Sequence, residues 1–208
     1  KIRHAGEEHF YRAAPQPVRV WEGDVLHTGP ESRSKLTLRE EHEGAQLFSN
    51  SHLTISAVKP KLSSFALNTG KVLFSYFVSK KYSNTFQVRT QTALLGVKGT
   101  EFVVGTEQDK SYVVTLSGVV SLQRLDQPDA PPLKVEKDQA VVLTRDAPVP
   151  AARQVSPELR EALLTRDIDA EEISELEALP FVEIESTVPH QGASQYEFRW
   201  FHLLLPFW

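Results

Sequence analysis

The stretch "LLGVKGTEFVV", residues 94–104, sets Gly96 and Gly99 between two apolar runs, with Lys98 and Thr100 beside the second glycine. A lysine and a hydroxyl near glycines raise the question of a phosphate cradle. A Walker loop needs four residues between its glycines, then lysine, then a helix whose N-terminus faces the phosphate. Here only Val97 and Lys98 separate the glycines, and Thr100 is followed by Glu-Phe-Val-Val, a strand in which Thr100, Phe102 and Val104 share one face. The stretch therefore predicts a backbone corner between two strands. Gly96 and Gly99 are expected to allow left-handed or closely packed backbone that a Cβ would obstruct.

Outward from this corner the chain is written in the same way. From Val18 to about Thr144 it runs through short segments such as "KLTLRE", "HLTISAV", "SSFALNTGKVLFSYFV", "NTFQVRT" and "SYVVTLSGVVSLQRL". They are rich in β-branched and aromatic residues, several alternate with period two, and Gly, Asn, Asp or Pro clusters separate them. One all-β domain of many strands is expected. Within it "VWEGDV", "LNTGKV" and "TLSGVV" echo one another, with "VEKDQA" a degenerate copy carrying Asp138 in place of glycine. Gly23, Gly70 and Gly118 recur at intervals of 47 and 48. The recurrence fits stacked units that cover each other's apolar faces, and it fits hairpin tips that need positive φ.

Composition narrows the classes. Hydrophobic residues at 40% and charged residues at 24% exclude wholesale disorder and coiled coil. A net charge of -4 argues against nucleic acid and against anionic membrane surface as partners. The longest apolar run, residues 203–208, contains a proline and falls far short of the ~20 residues a membrane helix needs, so no transmembrane segment is expected in this chain. The absence of cysteine removes disulfides, thiolate metal sites and thiol nucleophiles. The chain begins at Lys1 without an initiator methionine, and a signal peptide is expected to have been removed already.

Beyond the β domain the composition shifts. Residues 1–17 read as an N-terminal extension, 18–145 as the β domain, 146–156 as a proline-bearing linker and 157–208 as a small α+β segment. Ser156-Pro157-Glu158 is a helix start, with the serine able to accept orphan amides and proline at the first helical position. That helix is expected to run to about residue 164. Asp169 with Glu172 opens a second, and "FVEIEST" with "SQYEFRWFHLLLP" alternates as a terminal β-hairpin. In its last strand Tyr196, Phe198 and Trp200 line one face while Phe201, Leu203 and Leu205 take the other. Such a strand is either covered on both sides within the chain or docked to another; Tyr196, Phe198, Trp200 and Phe201 are the candidate partner-binding residues.

No catalytic set emerges. None of the seven histidines has a partner at helical HExxH spacing, and Ser117 in "TLSGV" lacks the elbow that makes a nucleophile. "HAGEEH" could hold a metal only loosely through His4, Glu7, Glu8 and His9, and "EEHEG", residues 40–44, reads as a solvated turn. No catalytic residue, metal site or cofactor is expected. Trp21, Tyr76, Phe77 and Tyr82 are aromatic candidates for stacking on a glycan, although strand aromatics are more often core.

Taken together, "VWEGDVLHTGPESRSKLTL", "LNTGKVLF", "FQVRTQTALLGVKGTEFVV" and "YVVTLSGVVSL" resemble the FecR domain of bacterial envelope proteins, over residues 18 to 144. The marks are Gly99-Thr100-Glu101-Phe102, the preceding Phe86-Gln87-Val88-Arg89-Thr90 and the turn at Gly118, with Gly96 in the same stretch. The resemblance implies a twisted, solenoid-like or sandwich-like all-β fold, in the periplasm or at the surface of a Gram-negative bacterium. It implies a non-enzymatic role in signal reception or protein contact. In the best-known members this domain takes a signal from an outer-membrane iron-siderophore transporter to a cytoplasmic sigma factor. Neither a cytoplasmic segment nor a membrane helix is legible ahead of Val18, so the module is carried over and the sigma-factor circuit is not. Expected partners are envelope proteins, outer-membrane ones included, or a second copy of the chain. The alternatives are a binder of peptidoglycan, another glycan or an iron chelate, and a structural component of an envelope-spanning machine.

Overall fold

The computed structural model describes residues 1–11, 17–38, 43–78, 85–168, 170 and 173. The strands are β1 (Ile2–Arg3), β2 (Val25–His27), β3 (Ser34–Leu38), β4 (Glu43–Leu47), β5 (His52–Lys59), β6 (Leu62–Tyr76) and β7 (Thr85–Arg89). They continue as β8 (Ala93–Val97), β9 (Thr100–Glu107), β10 (Lys110–Ser117), β11 (Val119–Arg124), β12 (Leu133–Glu136), β13 (Gln139–Thr144) and β14 (Arg153–Gln154). One helix, α1 (Pro157–Thr165), follows. The expected mainly-β class holds.

Two sheets share the long strand β6. The first runs β1-β2-β5-β6-β7-β8-β11-β12 and the second β3-β4-β6-β9-β10-β13-β14. Every pairing is antiparallel except that of β6 with β7. β6 pairs in the first sheet up to Thr69 and in the second from Gly70 onward. Its inward residues are Phe65 and Leu67 before the crossing and Val72, Phe74 and Tyr76 after it. The alternation changes from odd to even at Gly70, whose φ of 88° inserts the half-step that keeps an apolar face on the core in both sheets.

Each described passage from one sheet to the other has a residue with positive φ. Glu31, Asn50 and Gly70 serve the first half of the chain, and Gly99, Gly118 and Asp138 the second. Glu31 to Gly99, Asn50 to Gly118 and Gly70 to Asp138 are each 68 residues apart. The recurrence read from Gly23, Gly70 and Gly118 is thereby corrected: Gly23 precedes β2 rather than joining two strands, and the repeating unit is a set of three stacked corners. A Cβ on Gly70 would lie 2.4 Å from the Ser51 Cα, and one on Gly118 would lie 2.5 Å from the Gly99 carbonyl oxygen. Successive corners rest on one another, and at these two positions only glycine meets both the conformation and the space.

Inner residues of both sheets form one core. At its centre the Phe74 ring stacks on Phe102 at 5.4 Å and meets Phe86 edge-on at 5.8 Å, while Tyr76 stacks on Phe86 at 5.3 Å. The outer face of the second sheet is also apolar: Val103, Tyr112, Val114 and Ala140 pack against Leu159 and Leu163 of α1 and against Ile168. Ser156 caps α1 as expected, its Oγ accepting from the Leu159 N–H at 3.1 Å. Hydrogen bonds to the Glu158 backbone N–H and to Ser156 hold the Glu158 carboxyl below its usual range, as a helix N-terminus should. Arg153 and Gln154, in the stretch read as a linker, pair with β13.

The other end of α1 is clamped by cations. Lys71 Nζ, on a residue 4% exposed, donates to the Leu163 carbonyl at 2.7 Å and to that of Arg166, and sits 3.7 Å from the Phe48 ring centroid. Arg33 lies over the same ring at 4.9 Å and donates to the Thr165 carbonyl. Removing the Lys71 ammonium takes its donor from the carbonyl of buried Leu163 and its cation from the C-terminal end of α1, so Lys71→Met is expected to lower stability by about 1–3 kcal/mol. Thermal unfolding reads the loss, and faster proteolysis within residues 157–166 localises it. The second predicted helix, apart from Ala170 and Ile173, and the whole terminal hairpin lie outside the described residues.

Candidate functional site

The sheets leave an opening where β3 ends the second sheet and β1 and β2 end the first. β3 pairs with β4 and with no other described strand. Between these edges, and walled by residues 17–21, lies a groove of about 990 Å³. Its floor is apolar, built from Leu26, Leu36 and Leu47, which the alternation of β2, β3 and β4 turns inward. Its rim is cationic: Lys1, Arg19, Arg33 and Lys35 line it, and no described carboxylate does. In a chain of net charge -4 that segregation of sign sets this surface apart.

The first-sheet wall is held by a buried carboxylate. Asp24 accepts from His4 Nδ1 at 2.7 Å, from the Ala5 N–H at 3.1 Å and from the Trp21 N–H at 2.9 Å. His4 Nε2 in turn meets the Tyr11 hydroxyl, and the His4 ring stands 5.3 Å from Trp21. His4, named above among the residues that could hold a metal only loosely, is instead engaged by Asp24 and Tyr11. Trp21 remains 58% exposed at the mouth of the groove.

Beside this wall His27 and His52 are direct cross-strand partners, with Phe10 packed on both at 5.9 Å. Burial first, then the neighbouring His27 and Arg3, push the His52 pKa down. Its Nε2 is buried with no hydrogen-bond partner among the described residues. A histidine whose folded pKa is lowered binds its proton more readily in the unfolded chain, so stability is lost as pH falls below the ordinary value near 6.5. Melting between pH 7.5 and 5.5 is expected to show this decline, and His52→Gln is expected to flatten it.

The sequence-predicted residues divide. Gly99, Thr100 and Gly118 come together where two sheet-crossing corners stack, and Thr100 Oγ1 donates to the Val119 carbonyl at 3.1 Å. Phe102 is in the core below. Thr100 opens β9 and no helix starts there. Gly96 departs from expectation: it lies inside β8 without positive φ, and an added Cβ would come no closer than 3.9 Å to the Ser121 carbonyl. Tyr76 is fully buried, which removes it as a stacking surface, whereas Phe77 is 53% exposed. "EEHEG" is likewise corrected in part, since Glu43 begins β4, is fully buried and accepts from Ser63 Oγ at 2.5 Å. Tyr82, Tyr196, Phe198, Trp200 and Phe201 lie outside the described residues. The basic rim was missed, although Arg33 and Lys35 stand two apart in "ESRSKLTL" and gave a signal.

Among the described residues no three histidine, aspartate or glutamate side chains are placed to hold a metal ion. No described helix is long and apolar enough to cross a membrane. What the geometry defines is a two-sheet β module with an open, positively rimmed groove. Residues 24–121 match the family described as FecR protein. Two crystal structures of a "putative anti-sigma factor" from Parabacteroides distasonis ATCC 8503 are similar in fold, each at TM-score 0.56 and 15% identity over 67% of this chain. The chain spans 64% and 63% of the length of those two structures. No curated protein matches the chain.

Proposed function

We propose that this chain is a non-enzymatic contact module of the Gram-negative cell envelope, periplasmic or surface-facing, which receives another protein in signal transmission. The observation that carries the reading is the cationic groove beside the edge of β3 that no described strand pairs, on a chain whose residues 24–121 match the FecR family. Edges that a protein keeps unpaired and charged are protected from random association yet open to a complementary chain. The anti-sigma description of the structural neighbours supports a regulatory role, and the FecR family supports an envelope location. The test is photo-cross-linking in intact cells from benzoylphenylalanine placed at Thr37, on the groove. A discrete adduct with an envelope protein is expected. Adducts with cytoplasmic proteins only, or none above a position on the far edge such as Lys134, would remove the reading. Deleting residues from Ser186 onward measures the terminal segment's share, with unchanged partners assigning it none.

One observation favours a second reading. Trp21, 58% exposed at the groove mouth, offers a flat face to a sugar ring, so peptidoglycan is the alternative ligand. Loss of sedimentation with isolated peptidoglycan on Trp21→Ala, where the unaltered chain sediments, would favour it.

A further inference from the structure

We infer that the groove recognises an extended, acidic segment of a protein partner, which adds to the second sheet as a strand beside β3. The inference deepens the contact-module reading and rests on it. Three features select this chemistry. Among the described residues β3 ends its sheet, and Ser34–Leu38 line the groove. Within that strand Leu36 is buried while Lys35 and Thr37 are exposed, so an incoming strand would meet an apolar floor on one face and a cation on the other. Arg19 on the opposite wall adds positive charge, and no described carboxylate lines the groove to offset it.

Main-chain hydrogen bonds to an edge supply affinity with little sequence demand, and alternate side chains supply the choice of partner. With apolar residues inward and carboxylates toward the rim, an alternating acidic segment matches both demands. A second copy of this chain does not, because pairing two β3 edges would bring like-charged Lys35 side chains together, which costs binding energy. A nucleic acid would meet the rim but leave the leucine floor unfilled.

The test uses the full chain and two labelled peptides, one alternating glutamate with valine and threonine, the other carrying lysine for glutamate. Fluorescence anisotropy is expected to show the acidic peptide binding at least about tenfold more tightly, with the preference shrinking as salt rises. The double variant Arg19→Glu, Lys35→Glu is expected to abolish or reverse that preference. Both substituted residues are exposed, and an unchanged melting temperature checks that the fold persists. Hydrogen exchange of the amides in Ser34–Leu38 is expected to slow when the acidic peptide is added. Equal binding of the two peptides overturns the inference. So does binding without protection of those amides. Protection already present before any peptide is added would mean that the chain's own acidic segment, residues 171–185, covers the edge, and would also overturn it. If these peptide results fail while cross-links from Thr37 to an envelope protein persist, the contact-module reading stands and the acidic-strand inference alone falls.

Discussion

Phe102→Ala is expected to destabilise the protein by about 3–5 kcal/mol, the largest loss among single truncations in the family-motif corner. The ring is fully buried, stacks on Phe74 at 5.4 Å and meets Phe86 at 6.4 Å, so it touches both sheets at once. Phe74 and Phe102 are paired across β6 and β9, and a backbone held by ladders on both sides cannot close in on the space left behind. Urea unfolding reads the change as a lower midpoint with an unaltered slope. Phe77→Ala is the control: its ring is 53% exposed, and its removal is expected to change stability by no more than about 0.5 kcal/mol.

Gly118→Ala is expected to approach the same size, about 2–5 kcal/mol, for a different reason. Its φ of 78° places a Cβ in the left-handed region, at roughly 1–2 kcal/mol. That Cβ would also stand 2.5 Å from the Gly99 carbonyl oxygen and 2.8 Å from Thr100 Oγ1, forcing the two stacked corners apart. The neighbouring glycines separate these causes. Gly99→Ala keeps the positive φ of 65° but meets nothing nearer than a Val78 methyl at 3.7 Å, so about 1 kcal/mol is expected. Gly96→Ala has neither penalty and is expected to be neutral or mildly stabilising, by up to about 0.5 kcal/mol. Thermal unfolding of the three variants should therefore rank them 118, 99, 96 in decreasing loss.

Strand content was legible because burial follows alternation closely in segments such as β5 and β7. That Gly99 and Gly118 bend the chain was legible too, since glycine is the residue that tolerates left-handed backbone. Where each corner leads was not. A residue with positive φ can close a hairpin or carry the chain to a facing sheet, and only long-range pairing decides between them. The 68-residue relation was hidden because equivalent corners use different residues: Glu31 for Gly99, Asn50 for Gly118, Gly70 for Asp138. Asparagine and aspartate share glycine's tolerance of this conformation, so selection of one residue at all three levels is unnecessary. Tyr76 and Phe77 show the same limit at one step. Adjacent in sequence, they point opposite ways, and the phase change at Gly70 sends Tyr76 inward.

The groove was half legible. Lys35 and Thr37 alternate within the predicted strand "KLTLRE", but Arg33 lies ahead of it, Arg19 belongs to a separate segment, and Trp21 reaches the mouth through Asp24, whose place in "VWEGDV" gave no sign of that role. The carboxylate is buried and accepts three hydrogen bonds, which fixes its role as an anchor of the wall.

The most direct measurement is amide exchange of the full chain, free and bound to whichever envelope protein the Thr37 cross-link captures. Slowed exchange in Ser34–Leu38 and in residues 17–21, with Ala93–Val97 and Thr100–Glu107 unchanged, is the expected result. Slowed exchange centred instead on residues 96–100, with the β3 edge untouched, would contradict it and return the glycine stretch from corner to binding site.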